Sequence, residues 1–248
     1  MTVRLLKKFF FSSFFFAKLK NVSKLILGDG INFGAYSYSQ CGEDMIIAFI
    51  FSVLKKDLPT YIDIGAHHPY RLSNTAHFYQ KGCHGINIEP DPVLFRQFKI
   101  SRSRDINLNI GIRCFEGEAC FYIMSSSVMN TFSRDVAEQL VQEHGFKLKK
   151  TQHIYVNTIS NVITNYAGGV FPDFLSLDVE GLDMEILESI DYSTSYPLVI
   201  CVESISFSRR GNGEKNLKIV QFLENKGYMV FADTHVNTIF VHRSHWIK

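Results

Sequence analysis

No two cysteines in this chain stand three apart. Cys41, Cys83, Cys114, Cys120 and Cys201 are scattered, which excludes a C-x-x-C redox pair and a paired-cysteine zinc site. Their odd number and scatter fit free, mostly buried thiols in a reducing compartment. A hairpin would bring Cys114 and Cys120 face to face, but no disulfide is expected there. Charge of one sign is also missing. Lys and Arg number 26 against 24 Asp and Glu, and a net charge of +2 makes no electrostatic case for nucleic acid as a partner. Long apolar runs are missing as well. The phenylalanine-rich block at residues 9–17 is about half of what a membrane-spanning helix needs. No A-x-A-like site follows it, so a cleaved signal peptide is not indicated. Lys7-Lys8 and Lys18 to Lys20 flank this block. An aromatic, basic segment over residues 1–20 suits peripheral contact with a membrane interface. A terminal arm, or a helix packed on the domain, fits the same residues.

What the chain has is enough apolar material for a full core: 46% of 248 residues. One domain is the expectation at this length. The most informative stretch is Tyr61-Ile62-Asp63-Ile64-Gly65-Ala66-His67, a buried strand running into a glycine turn. Gly85-Ile86-Asn87-Ile88-Glu89-Pro90 follows as a second strand ending in a carboxylate. In open α/β sheets ligands bind beyond the carboxyl ends of the strands, and an acid about 20 residues past the first turn can hold a ribose. A dinucleotide turn needs G-x-G-x-x-G so that the backbone can approach a pyrophosphate. Here one glycine is followed by Ala66-His67-His68-Pro69. That disfavours an NAD-dependent oxidoreductase and suits a phosphate-free adenosine cofactor, S-adenosylmethionine.

The rest of the chain alternates strand and helix patterns. Residues 28–42 read as a loop, and residues 43–56 as a helix with Met45, Ile46, Phe49, Ile50 and Val53 on one side. Strands are predicted over 58–64, 85–89, 107–112, 119–124, 153–157, 174–178 and 198–203, with a closing antiparallel pair over 228–232 and 238–242. Helices are predicted over 73–81, 136–143, 159–166, 182–190 and 216–225. A further helix runs from Pro92 to about residue 102, opened by Asp91 as N-cap. This pattern predicts an α/β fold, mainly parallel, covered by helices on both faces, with a terminal antiparallel hairpin.

Several segments, taken in order, resemble the FkbM family of methyltransferases. They are Tyr38-Ser39-Gln40-Cys41-Gly42-Glu43-Asp44, Asp63-Ile64-Gly65-Ala66-His67-His68-Pro69, Ser73-Asn74-Thr75, the Gly85 to Pro90 strand, Phe174-Leu175-Ser176-Leu177-Asp178-Val179-Glu180-Gly181 and Val202-Glu203. The similarity spans roughly residues 36–242. It implies residues 1–35 as an arm and 36–248 as one domain with a seven-stranded, Rossmann-like methyltransferase fold. It further implies S-adenosylmethionine as cofactor and a hydroxyl as the usual acceptor, typically on a polyketide or a sugar. By this resemblance Asp63, Gly65, Ala66 and His67 contact the methionine part, Glu89 holds the ribose, and Asn109, Gly111 and Ile112 border the adenine. Asp178 faces both cofactor and acceptor. The Gln40-Cys41-Gly42-Glu43-Asp44 segment is a candidate lid, with Gln40, Glu43 and Asp44 as contacts. Capping of the following helix is the plainer role for Glu43 and Asp44.

Methyl transfer to a hydroxyl needs a general base, or a metal that lowers the acceptor's pKa. Asp178, Glu180 and Glu203 are candidates for one Mg²⁺ site at adjacent strand ends. Helix capping by Glu180 and loop orientation by Glu203 are the alternatives. Asp178, Glu203 and His235 are the candidate catalytic groups. His67 and His68 also titrate near neutrality. Arg209-Arg210 suits an anionic acceptor, or simply a solvated loop. The expectation is a cytoplasmic methyltransferase, peripheral to a membrane if the arm binds one, acting on a glycan hydroxyl. A small-molecule or lipid-linked acceptor is the alternative. A non-catalytic scaffold would keep the fold without turnover.

Overall fold

The computed structural model describes residues 34–207 and 213–246. The arm at residues 1–20 and the Arg209-Arg210 pair lie outside them. Ser37–Lys248 is one compact unit. Its first elements are α1 (Glu43–Val53), β1 (Tyr61–Ile64), α2 (Ala76–Gln80), β2 (Gly85–Ile88), α3 (Pro92–Ser101) and β3 (Ile106–Leu108). Then come β4 (Gly111–Ile112), β5 (Gly117–Met124), α4 (Arg134–Gln142), β6 (Leu148–Asn157), α5 (Ile159–Tyr166) and β7 (Phe174–Leu177). The last are α6 (Asp183–Glu188), β8 (Val199–Glu203), α7 (Leu217–Asn225), β9 (Tyr228–Asp233), β10 (Asn237–His242) and α8 (Arg243–Trp246).

Seven strands form the main sheet in the order β3-β2-β1-β7-β8-β10-β9. All pairs from β3 through β8 are parallel, and β10 runs antiparallel to both β8 and β9. The order reverses between β1 and β7, where a crevice opens at the strand ends. This is the Rossmann-like methyltransferase arrangement. Every residue of β1, β2 and β7 is buried, so these strands read as near-continuous apolar runs, each broken by one polar residue, Asp63, Asn87 or Ser176.

Strand alternation sorts the core into two layers. Ile62, Ile64, Leu175, Leu177, Ile200 and Val202 face one way, against α5, α6 and α7. Tyr61, Phe174, Val199, Cys201, Ile239 and Val241 face the other, against α1 and α2. Helix starts match their sequence signals. Asp91 accepts from the Val93 amide with Pro92 in the first turn, and Ser133 and Thr158 accept from Val136 and Asn161.

Two expectations are corrected. The predicted strand over 107–112 is two strands. Ile106–Leu108 stays in the main sheet, while Gly111–Ile112 joins a separate three-stranded sheet, β4-β6-β5. The backbone changes sheet at Asn109, whose amide is held by the Glu89 and Pro90 carbonyls at 2.9 Å each. The thiols are free, but only Cys83 and Cys201 are buried, while Cys41 and Cys114 are exposed. Among the described residues, no helix is long and apolar enough to cross a membrane.

Candidate functional site

A cavity of about 250 Å³ opens at the carboxyl ends of β1, β2, β7 and β8. Of the residues singled out from sequence, Gln40, Asp63, Gly65, Ala66, His67, Glu89, Gly111, Ile112, Asp178, Glu180 and Glu203 line it. Asn109 and His235 are not among its lining residues. Asn109 instead ties β3 to the end of β2. His235 is an exposed residue of the β9–β10 turn with a left-handed backbone, and it is the neighbouring Val236 that reaches the cavity.

The turn after β1 is built on the end of β2. The Gly65 and Ala66 amides both donate to the Ile88 carbonyl at 3.1 Å. The His67 amide donates to Glu89 Oε2 at 2.7 Å, and the Asp91 amide donates to Glu89 Oε1 at 2.7 Å. Glu89 is therefore pinned through both oxygens at the cavity wall, with lone pairs left for a further donor. Burial raises its carboxyl to about 8, against the pull of these amides. Gly65 has a φ of +79°, and a β-carbon there would stand 1.8 Å from the Asp178 carbonyl oxygen. The glycine is thus required by the adjoining strand end. His67 is left-handed, its Nε2 lies 3.1 Å from Ser127 Oγ, and its Nδ1 is buried without a partner. Burial, then His68 and Arg71, lower its pKa.

Asp63 is buried and accepts from Thr75 Oγ1 at 2.6 Å. Burial raises its carboxyl, while Thr75 and Arg102 pull the other way. Beside the β1 turn, Asp178 directly follows β7, its amide donating to the Ile64 carbonyl at 3.1 Å, and Glu203 ends β8. Each of Asp178, Glu180 and Glu203 offers an oxygen within 4.8 Å of the others. Among the described residues, none of the three takes part in an ion pair. Burial, followed by repulsion from Asp183 and Asp63, raises Asp178 to about 7. Asp178 nonetheless opens to the cavity and is reached by solvent, which moderates this rise. Glu203 is pushed to about 9 by burial and then by Asp178 and Asp183, and Glu180 rises well above the usual range for the same kind of reason. Glu180 has a left-handed backbone, with φ 53°, and Gly181 continues it at 98°. Strain of this sort concentrates at functional sites. The Glu180 carbonyl accepts from Thr131 Oγ1 at 2.9 Å, which holds the turn.

Glu43 and Asp44 are taken up by hydrogen bonds within the fold, Asp44 by local ones and Glu43 by one local and two distant partners. Asp44 accepts from the Ser37 and Ser39 hydroxyls and from the Tyr38 amide, ordering residues 37–39. Glu43 accepts from the Cys41 amide, Thr234 Oγ1 and Asn237 Nδ2. Burial disfavours its charge, yet these bonds hold its carboxyl below the ordinary range. Gln40 is the residue of this segment that lines the cavity.

Sequence reasoning missed the residues between β5 and α4. Ser127, Val128, Met129, Asn130, Thr131 and Phe132 form much of one wall. They carry no charge and no glycine signal. The one cue is the polar run Ser125-Ser126-Ser127 after an apolar strand. Leu72, Asn74, Ile205, Phe207 and Val236 complete the other side.

In its overall fold the chain is similar to a TehB-like SAM-dependent methyltransferase from Corynebacterium glutamicum, with 10% identity and a TM-score of 0.42 over 92% of this chain and 99% of that one. It is also similar to the 1,6-didemethyltoxoflavin-N1-methyltransferase of Burkholderia thailandensis, solved with bound 1,6-didemethyltoxoflavin and S-adenosylhomocysteine, at 8% identity, a TM-score of 0.39, and 91% and 85% coverage. A precorrin-6y C5,15-methyltransferase from Geobacter metallireducens is similar at 16% identity and a TM-score of 0.33, with 82% and 80% coverage. No curated protein is a significant match to the sequence. The model of the methyltransferase FkbM domain matches residues 63–230, from the carboxylate of β1 into β9 and more than half of the chain. That span carries the β1 turn, Glu89 and all three clustered acids, and the chain belongs to the FkbM methyltransferase family.

Proposed function

We propose that this protein is an S-adenosylmethionine-dependent O-methyltransferase whose acceptor is a sugar hydroxyl in surface-glycan assembly. The observation that carries this reading is the convergence of Asp178, Glu180 and Glu203 in the same cavity as the Gly65 turn and Glu89. The Gly65–Glu89 side suits an adenosine cofactor without phosphates. Glu89 has spare acceptor capacity for ribose hydroxyls, and no glycine-rich pyrophosphate turn follows β1. The acid side suits the acceptor. A carboxylate with a raised pKa takes a proton from a hydroxyl more readily than an ordinary one, which is what a general base near neutrality requires. Asp178 is the candidate base near neutrality. Glu203, held mostly protonated there, would serve as base only toward pH 9 or once a bound cation lowers it. The cofactor's activated methyl supplies the chemistry.

The three-acid set also fits a divalent cation by its donor chemistry, since Mg²⁺ takes oxygen ligands and few protein carboxylates. Asp178, Glu180 and Glu203 would hold it, and it would lower the acceptor hydroxyl's pKa. Leu72, Ile205, Phe207 and Val236 in the same cavity favour a second acceptor reading, a hydroxyl on a molecule with an apolar portion, such as a lipid-linked one. Residues 1–20 would place the enzyme beside such an acceptor at a membrane. Deleting them should leave cofactor binding intact and reduce association with anionic vesicles.

The test is direct. Surface glycans from cells with and without the gene are compared by mass spectrometry. One methyl group per repeat lost with the gene supports the sugar reading. Unchanged glycans together with a lost methyl on a lipid extract favour the second.

A further inference from the structure

The segment Ser73-Asn74-Thr75 has no role in the function argued so far. It meets a row of polar side chains on the face of the sheet that packs against α1 and α2. Parallel register sets Asp63 beside Ser176 and Ser176 beside Cys201. Asn74 Nδ2 lies 3.3 Å from Ser176 Oγ and 3.7 Å from Cys201 Sγ, and the Ser73 hydroxyl accepts from the Ala76 amide at 3.1 Å. Thr75 Oγ1 donates to Asp63 Oδ2 at 2.6 Å.

The direction of that last bond is fixed from behind. Arg102 is fully buried, and both of its terminal nitrogens lie 3.2 Å from Thr75 Oγ1. A guanidinium only donates, so the threonine oxygen accepts from it and the single hydroxyl proton is left for Asp63. Arg102 is itself anchored by Asp105 at 2.8 Å, the Tyr61 hydroxyl at 2.8 Å and the Pro69 carbonyl at 3.2 Å. The chain Arg102–Thr75–Asp63 thus runs from a rigid buried cation to a carboxylate on the cavity wall. A buried network whose guanidinium donors are all taken holds the threonine and the carboxylate in one arrangement.

We propose that Thr75, backed by Arg102, is a positioning residue that orients the Asp63 carboxylate for the ammonium group of the cofactor's amino-acid tail. This rests on the S-adenosylmethionine reading above. The tail's cation needs a partner with little positional freedom, and Asp63 is the buried cavity carboxylate whose geometry is set by a relay.

Calorimetry with two ligands tests it. S-adenosylhomocysteine carries the amino-acid tail, while 5′-methylthioadenosine has the same adenosine and thioether without it. Thr75→Val should weaken S-adenosylhomocysteine by about tenfold or more and leave 5′-methylthioadenosine within about twofold. Thr75→Ser, which keeps the hydroxyl, should restore the wild-type ratio. Equal loss of both ligands, or no loss of either, overturns the proposal. Thr75→Ala is measured alongside, since it cannot overpack the site. If neither Val nor Ala gives a cooperative thermal transition, Thr75 serves the fold alone and the proposal fails. A wild-type protein that binds neither ligand sinks the cofactor reading itself, a result distinct from an unchanged ratio.

Discussion

The carbonyl oxygen of Asp178 occupies the space in which a side chain on Gly65 would begin, 1.8 Å from the ideal β-carbon position. The cofactor turn and the acid cluster are therefore one packed unit. Gly65→Ala would combine left-handed strain of about 1–3 kcal/mol with a clash against backbone that cannot swing away. Thermal unfolding should show a markedly lowered transition, and calorimetry should show no binding of S-adenosylhomocysteine. An alanine variant with wild-type stability and affinity would mean that the two strand ends separate freely.

Glu89 is held by two backbone amides, so removing it has two consequences. Glu89→Ala leaves the His67 and Asp91 amides without their acceptors and removes the proposed ribose contact. Cofactor affinity should fall about tenfold or more, with a stability loss of about 1–3 kcal/mol. Unchanged affinity in calorimetry would take Glu89 out of the site.

The pH dependence of stability follows from the raised acids. Burial lifts the carboxyls of Glu89 to about 8 and Glu203 to about 9, and shifts Asp178 the same way but less, because solvent reaches it. A carboxyl whose folded pKa exceeds its unfolded value binds its proton more tightly in the folded state. Its stabilisation is complete below the unfolded value, about 4, and is lost as pH rises through the folded value. Glu43 is held low, as are His67, His68 and His242, and these groups act in the opposite sense below about pH 6.5. The melting temperature of the ligand-free protein should thus fall from about pH 6.5 to about pH 9, and Glu203→Gln should flatten that fall. A profile that rises over this range would show that these acids ionise freely in the folded protein.

Asp178→Asn keeps the shape of the strand end and removes its charge. Transfer of a labelled methyl group into extracts of the source cells should drop by about two orders of magnitude, with a smaller change in cofactor affinity. Chelation separates the two readings of the cluster. Activity lost to a chelator and restored by Mg²⁺ supports the metal, whereas chelator-resistant activity leaves Asp178 or Glu203 as base. Wild-type turnover by the asparagine variant would move the catalytic centre elsewhere.

The parallel half of the main sheet was legible because its strands are short, mostly apolar runs buried on both sides. Tyr61–Ile64 and Phe174–Leu177 needed no partner information to be read as strands. The second sheet was only half legible. The first half of β6, Leu148 to Gln152, is mostly exposed and carries two lysines, so neither alternation nor hydrophobicity marks it. The change of sheet at Asn109 was hidden because Ile106, Leu108, Ile110 and Ile112 keep an unbroken alternation across it. At the site, the acids that end strands could be named from sequence, since a strand followed by a turn places its last side chain. The fates of Glu43 and Asn109 were beyond reach, because their partners are carbonyls, hydroxyls and amides that only tertiary structure brings near. His235 stands in the predicted turn between β9 and β10, but which residue of a tight turn faces inward depends on a backbone twist that composition does not record.

Glu43 meets Thr234 and Asn237 across more than 190 residues of chain. That distance gives the site a timetable. Domains fold from the amino end as the ribosome releases them, at about 5–20 residues per second. Glu43 therefore emerges roughly ten seconds or more before its partners. Until the β9–β10 turn arrives, the segment bearing Gln40 has lost one of its two anchors and the cavity lacks Val236. A nascent chain holding β1, β2 and β7 would present the Gly65 turn and Glu89 with the opposite wall unfinished, so the cavity is completed only once the β9–β10 turn has emerged.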